Sequence, residues 1–162
     1  MLNDLIMEMI QYYKGDAKRI QHFVKVHSFA RLIGELEQLD PETMRILETA
    51  ACVHDIGIKP AEQKYGTCGG KLQEQEGPAA AREMLEKLGY DKKLTERVCY
   101  LVGHHHTYTN IDGMDYQILV EADFLVNLYE DNLSKDTAAC VCEKIFKTKS
   151  GKQICKMMFD CI

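Results

Sequence analysis

The sequence predicts an all-α chain, and three observations carry that reading. No segment alternates apolar and polar residues with the period of two expected of a half-buried strand. Apolar residues instead recur with the helical period of 3.6 through most of the chain. Only three prolines occur, Pro41, Pro60 and Pro78, each placed where a helix would start or has just stopped. There is no internal repeat and no low-complexity segment.

The elements follow in order. A short amphipathic helix is expected near 2–13, broken by Gly15-Asp16. A second spans about 17–38, with His22, Val26, Ala30 and Ile33 on one stripe. Asp40-Pro41-Glu42 opens a third: the Asp caps, the Pro fits the first turn and the Glu suits the dipole. That helix is apolar on most sides up to His54-Asp55 and is therefore expected at the centre. Gly57 suits a left-handed stop, and Pro60 prevents continuation. Residues 58–76, with Gly66, Gly69 and Gly70, are expected as the longest loop, of the kind that forms a lid or site loop. Gly77-Pro78 opens a helix that ends at Gly89. Asp91 starts another, with Leu94, Val98, Leu101 and His105 on one stripe. Residues 107–114 are a polar loop, and Asp115 starts the helix that carries Ile118 to Leu128. Ser134 starts one more, and residues 151–160 add a short terminal helix. The expectation is one domain over 1–162, with a core at about 17–130 and C-terminal helices at about 134–160.

Composition narrows the function classes. Of 162 residues, 46% are hydrophobic and 28% charged, which suits a globular chain and excludes a disordered tail. Twenty Lys and Arg against 25 Asp and Glu give a net charge of −5, which disfavours a general nucleic-acid binder. No apolar run reaches the ~20 residues of a membrane span. The start MLNDLIMEMIQYY lacks a basic n-region and a cleavage site, so a cytoplasmic chain is expected. The seven Cys are scattered without a C-x-x-C pair, which reads as reduced thiols. The six His are placed unevenly: three form the run His104-His105-His106, and one stands in His54-Asp55.

Asp123 lies inside the apolar run Ile118–Val126. A carboxylate there should face the core, where an unpaired charge costs several kcal/mol, so it needs an ion pair, a cap or a metal. His54-Asp55 poses the same problem at the end of the apolar third helix, and His22 supplies a further ligand. One shared cation answers both. Nitrogen and oxygen donors without thiolate fit Fe, Mn, Zn or Mg.

The ordered set Arg19-x-x-His22-x-x-x-Val26-x-x-x-Ala30, His54-Asp55-Ile56-Gly57 and Glu121-Ala122-Asp123 resembles the HD-domain metal-dependent phosphohydrolases over about residues 17–130. The resemblance implies an all-α HD-domain helical bundle with His22, His54, Asp55 and Asp123 as metal ligands. Some HD enzymes, such as the symmetrical diadenosine-tetraphosphate hydrolases and the HD-GYP phosphodiesterases, hold two metals. They carry a His just before the next helix, where this chain has Glu76-Gly77-Pro78. Glu76 is then either a ligand of a second metal or an ordinary acidic residue at a helix start. Another ligand position falls in the His run. His105 should point inward with Val98 and Leu101, His104 is the next choice, and His106 is solvent-facing or touches substrate. Asp112-Gly113 is followed by Met114 in place of Gly-Tyr-Pro, which disfavours cyclic-dinucleotide hydrolysis. His27 is expected to be structural.

The implied activity is hydrolysis of a phosphate ester or anhydride by a metal-bound hydroxide, with one or two divalent ions per chain. Asp55 would bridge two metals, and His105 or His106 would protonate the leaving group. Arg19 or Lys59 would neutralise substrate phosphate, unless each is a solvated surface charge. A small phosphorylated substrate is expected, a nucleotide or dinucleoside polyphosphate. Neither a nucleic-acid nor a membrane partner is expected, and a homo-oligomer remains open. The alternatives are a non-catalytic metal- or nucleotide-binding HD module and, more remotely, a di-iron HD oxygenase.

Overall fold

In a computed structural model, residues 1–161 are described, and they form nine helices without a strand. They are α1 (Leu2–Tyr12), α2 (Ala17–Leu36), α3 (Pro41–Val53), α4 (Ile58–Tyr65), α5 (Gly70–Lys87), α6 (Lys92–Val102), α7 (Met114–Glu130), α8 (Lys135–Lys144) and α9 (Lys149–Phe159). The caps explain most of the starts. Asp16, Asp40, Asp91, Ser134 and Thr148 each accept the backbone N–H three residues on with a side-chain oxygen.

The core sits around α3, which packs against α1, α2, α6 and α7. Its small residues Ala50, Ala51 and Cys52, all fully buried, let those neighbours approach. The second-helix stripe of Val26, Ala30 and Ile33 is buried, as is the α6 stripe of Leu94, Val98 and Leu101. The helix α7 buries 12 of its 17 residues, because α2 and α3 cover one side and α9 another. None of the described helices is long and apolar enough to cross a membrane.

Three expectations change. The 58–76 segment is not a loop: it holds α4 and the start of α5, separated by residues 66–69. Pro78 lies inside α5 and does not open it. Gly57 has φ −72° and is no left-handed stop; Gly66, at φ 71°, ends α4 instead. The start of α7 falls within one residue of Asp115, which stands in its first turn. Gly113 precedes α7, and the buried Asp115 takes a two-pronged ion pair from Arg97 at 2.8 and 2.9 Å.

Gly57 is needed for a different reason. A Cβ there would stand 2.4 Å from the Gln73 carbonyl oxygen and 2.7 Å from the Gly77 nitrogen. Gly77 is pressed in turn against Val102, whose Cγ1 would lie 2.5 Å from an added Cβ. Two glycines thus let α5 cross the turn after His54-Asp55 at backbone contact. Gly57→Ala should cost about 2 kcal/mol by overpacking, seen as a fall of roughly 4–8 °C in the melting temperature of a chain this size. An unchanged midpoint would contradict the close approach.

Candidate metal centre

Four donor side chains meet where α2, α7 and the α3–α4 turn converge. His22 Nε2 lies 3.2 Å from His54 Nε2, 3.1 Å from Asp55 Oδ2 and 3.2 Å from Asp123 Oδ1. His54 Nε2 is 3.4 Å from each of the same two carboxylate oxygens. On its other side Asp55 offers Oδ1 to His105 Nε2 at 3.3 Å. Two groups can therefore hold an ion. One is His22, His54 and Asp123, the other Asp55, His105 and His106, each with its ligand atoms within 4.8 Å of one another. Asp55 lies between them.

The backbone explains the placement. His54 follows the last residue of α3, and its Nδ1 donates to the Ala51 carbonyl at 2.7 Å. His105 stands in the turn after α6, and its Nδ1 donates to the Val102 carbonyl at 2.8 Å. Helix ends leave such carbonyls free. In both rings Nδ1 donates to the backbone, so the nitrogen turned to the cluster is Nε2, which carries the lone pair when the ring is neutral. The His54-Asp55 turn is itself gripped from α1. Tyr13 donates its hydroxyl to the Asp55 carbonyl at 2.7 Å, and Tyr12 to the Ile56 carbonyl at 3.0 Å.

The residues fit a divalent cation. Bonds of about 2.1 Å to nitrogen and oxygen put neighbouring ligand atoms roughly 3.0–3.4 Å apart in octahedral or tetrahedral geometry. The five distances around His22 and His54 run from 3.1 to 3.4 Å. His105 Nε2 is buried with Asp55 Oδ1 at 3.3 Å but in no aligned hydrogen bond, an open valence that a cation would fill.

Electrostatics point the same way. Burial opposes charge on His22, but its hydrogen bonds to Asp123 and Asp55 outweigh it and lift the pKa to about 10. Burial also opposes ionisation of Asp55 and Asp123, yet His54 beside them holds both below the usual carboxylate range. In the metal-free chain a proton on His22 Nε2 stands where a cation would. Ligation needs the neutral ring, so metal uptake should release at least one proton per chain at pH 7.5, and affinity should rise with pH towards about 10. Titration calorimetry in buffers of different ionisation heat reads this directly. A binding heat independent of the buffer would contradict it.

The other expected residues separate. Glu76 turns to Lys64. His104 donates Nδ1 to the Tyr100 carbonyl at 2.7 Å and stacks on the Tyr100 ring at 4.0 Å, away from the cluster. His106 takes the place expected of His104. The reason lies in the turn after α6. Glu74 accepts from the His106 backbone N–H at 3.2 Å and the Thr107 hydroxyl at 2.8 Å, while His106 Nε2 meets Gln73 Oε1 at 2.7 Å. The Tyr116 hydroxyl sits between the His104 and Thr107 carbonyls. Burial, then the neighbouring His105, lowers the His106 pKa to about 4, so its ring is neutral at pH 7. His105 has both nitrogens buried or bonded inside the protein, a position suited to a ligand and not to a proton donor for substrate. Lys59 donates to the Tyr12 carbonyl at 3.0 Å and lies over the Tyr12 ring, in a separate cleft. His27 pairs with Glu48 at 3.0 Å, away from the centre.

A cavity of about 630 Å³ opens onto the centre, lined by Arg19, His22, Asp55, His106, Asn127 and Glu130 among others. Arg19 stands at its mouth, held by Glu62 and by Asp16 at 3.4 Å. Asn127 and Glu130 were missed in the sequence. Their signal was the helical spacing from Asp123, at i+4 and i+7 on α7.

The family model described as HD domain matches residues 19–146. Among solved structures, a crystal structure of a predicted HD superfamily hydrolase from an uncultured Thermotogales bacterium is similar to this chain. It has a TM-score of 0.70 at 23% identity, covering 98% of this chain and 84% of that one. At that identity the likeness is one of fold. No curated protein matches the sequence.

Proposed function

Since the chain belongs to the HD domain family, we propose that it is a metal-dependent phosphohydrolase acting on a phosphate ester or anhydride. The observation that carries this is the Asp55 carboxylate, with one oxygen in reach of His22 and His54 and the other of His105. In this reading His22, His54, Asp55 and Asp123 hold one divalent cation, and Asp55, His105 and His106 hold a second. Bound cations supply a water acidified towards neutral pH and positive charge for the phosphoryl oxygens. Fe, Mn, Zn and Mg all suit these donors.

The chain's own residues do the rest. Arg19 receives a substrate phosphate at the mouth, exchanging Glu62 for a two-pronged contact with phosphate oxygens. Asn127 offers an amide on the cavity wall. His106, neutral at pH 7, is held by Gln73 beside Asp55 as a lone-pair donor. Nucleotides and dinucleoside polyphosphates are the substrate classes we place first.

The test is to purify the chain, determine its metals by mass spectrometry, and screen nucleotides, diadenosine polyphosphates and sugar phosphates for released phosphate with Mn or Fe added. Metal-dependent turnover, abolished by a chelator, is expected. Bound metal without turnover on any phosphorylated compound would favour a binding module. Oxygen uptake without phosphate release would favour the oxygenase reading, which gains from the two imidazoles of His105 and His106.

A further inference from the structure

His22 differs from the other two buried imidazoles. His54 and His105 sit at helix ends, where a free carbonyl three residues back takes the Nδ1 proton. His22 lies inside α2, whose carbonyls are engaged in the helix, so its Nδ1 needs a partner from elsewhere. That partner is Glu130, the last residue of α7, 108 positions away, whose Oε1 is 2.6 Å from Nδ1. The second oxygen of Glu130 accepts from Lys25 Nζ at 2.8 Å. Lys25 stands one turn after His22 on α2 and lies 5.9 Å from the Tyr129 ring centroid. Arg19, His22 and Lys25 thus run along one face of α2, with Asp123, Asn127 and Glu130 along the facing side of α7.

We propose that Glu130 is a positioning residue for the metal centre. Its carboxylate fixes the His22 ring and keeps the proton on Nδ1, so that the Nε2 lone pair faces Asp55, Asp123 and the ion. Lys25 takes the other carboxylate oxygen, a contact the Glu130–His22 bond does not need. A carboxylate behind a ligand imidazole also makes the ring a stronger donor than a backbone carbonyl does. His22 is then the ligand whose strength a side chain can tune. The inference rests on the metal reading above but assigns a residue that reading does not use.

The alternative is that Glu130 merely closes an ion pair with Lys25 between α2 and α7. Zn²⁺ affinity, measured by competition with a chromophoric chelator, separates the two. Glu130→Gln should weaken Zn²⁺ binding about 10–100-fold, and Glu130→Asp, which keeps the charge but retreats by one methylene, should lie between it and the parent. Lys25→Met should change affinity less than about threefold, because it leaves the Glu130–His22 bond intact. The melting temperature of each metal-free variant reports the structural contribution separately. Equal Zn²⁺ affinity in parent and Glu130→Gln would overturn the inference alone. So would Lys25→Met weakening binding as much as Glu130→Gln. A parent chain that binds no Zn²⁺ would overturn this inference and the metal reading together. If Glu130→Gln does not fold, Glu130→Asp decides: affinity equal to the parent's would overturn the assignment.

Discussion

Asp55→Asn should leave a folded chain whose phosphate release has fallen by at least about a thousandfold, or ~4 kcal/mol of transition-state stabilisation. An amide has the shape of the carboxylate but only one oxygen acceptor and no charge. Asp55 uses both oxygens: Oδ2 stands 3.1 Å from His22 Nε2, and Oδ1 stands 3.3 Å from His105 Nε2. Asparagine can serve one cluster, with its NH₂ turned against the imidazole of the other. The bound ions should therefore drop from two per chain to at most one. The fold should persist, because Tyr12 and Tyr13 hold this turn through its backbone carbonyls, not through the Asp55 side chain. Steady-state phosphate release, with circular dichroism as the control for folding, checks this. A variant that keeps more than a tenth of the activity would rule out a carboxylate shared between two ions.

Glu121→Ala should have the opposite profile, with a large loss of stability and little change at the metal centre. Glu121 is fully buried in the apolar run of α7. It accepts from Gln117 Nε2 at 2.6 Å, the Lys147 and Thr148 backbone N–H groups at 3.0 and 3.1 Å, and the Thr148 hydroxyl at 2.6 Å. Those last two residues lead into α9, so the carboxylate also meets the positive end of that helix dipole. Removing it strands several buried donors at about 1–3 kcal/mol each, and a total near 4 kcal/mol would lower the melting temperature by roughly 8–16 °C. Below the new midpoint, activity should stay within about threefold of the parent, since Glu121 faces α9 and not the cluster. A midpoint within 2 °C of the parent would refute the buried clamp.

The two carboxylates show how far the sequence could be read. Glu121 and Asp123 lie two residues apart in one apolar run and raise the same question of what neutralises a buried charge. On a helix they point about 200° apart, one into the α9 start and the other to His22 and His54. Only the company of His54-Asp55 and His22 favoured Asp123 as the ligand; Glu121 carried no sign of its clamp, because its donors come from residues 147 and 148. Helix starts at Asp40, Asp91 and Ser134 were legible because their caps act locally. The α4 helix and the first turns of α5 were not. They bury only Ile58 and Ala61 before Gly77, so no apolar stripe marks them. They are held by the backbone crossing at Gly57 and Gly77, which no local signal records. That same misreading hid Gln73 and Glu74, and with them the reason that His106, and not His104, turns to the centre.

The most direct test is the count of divalent ions per chain by mass spectrometry, in the parent and in His54→Ala, after metal loading and desalting. The account predicts two ions in the parent and loss of at least the ion between His22, His54 and Asp123 in the variant. An ion count left unchanged by His54→Ala would contradict it.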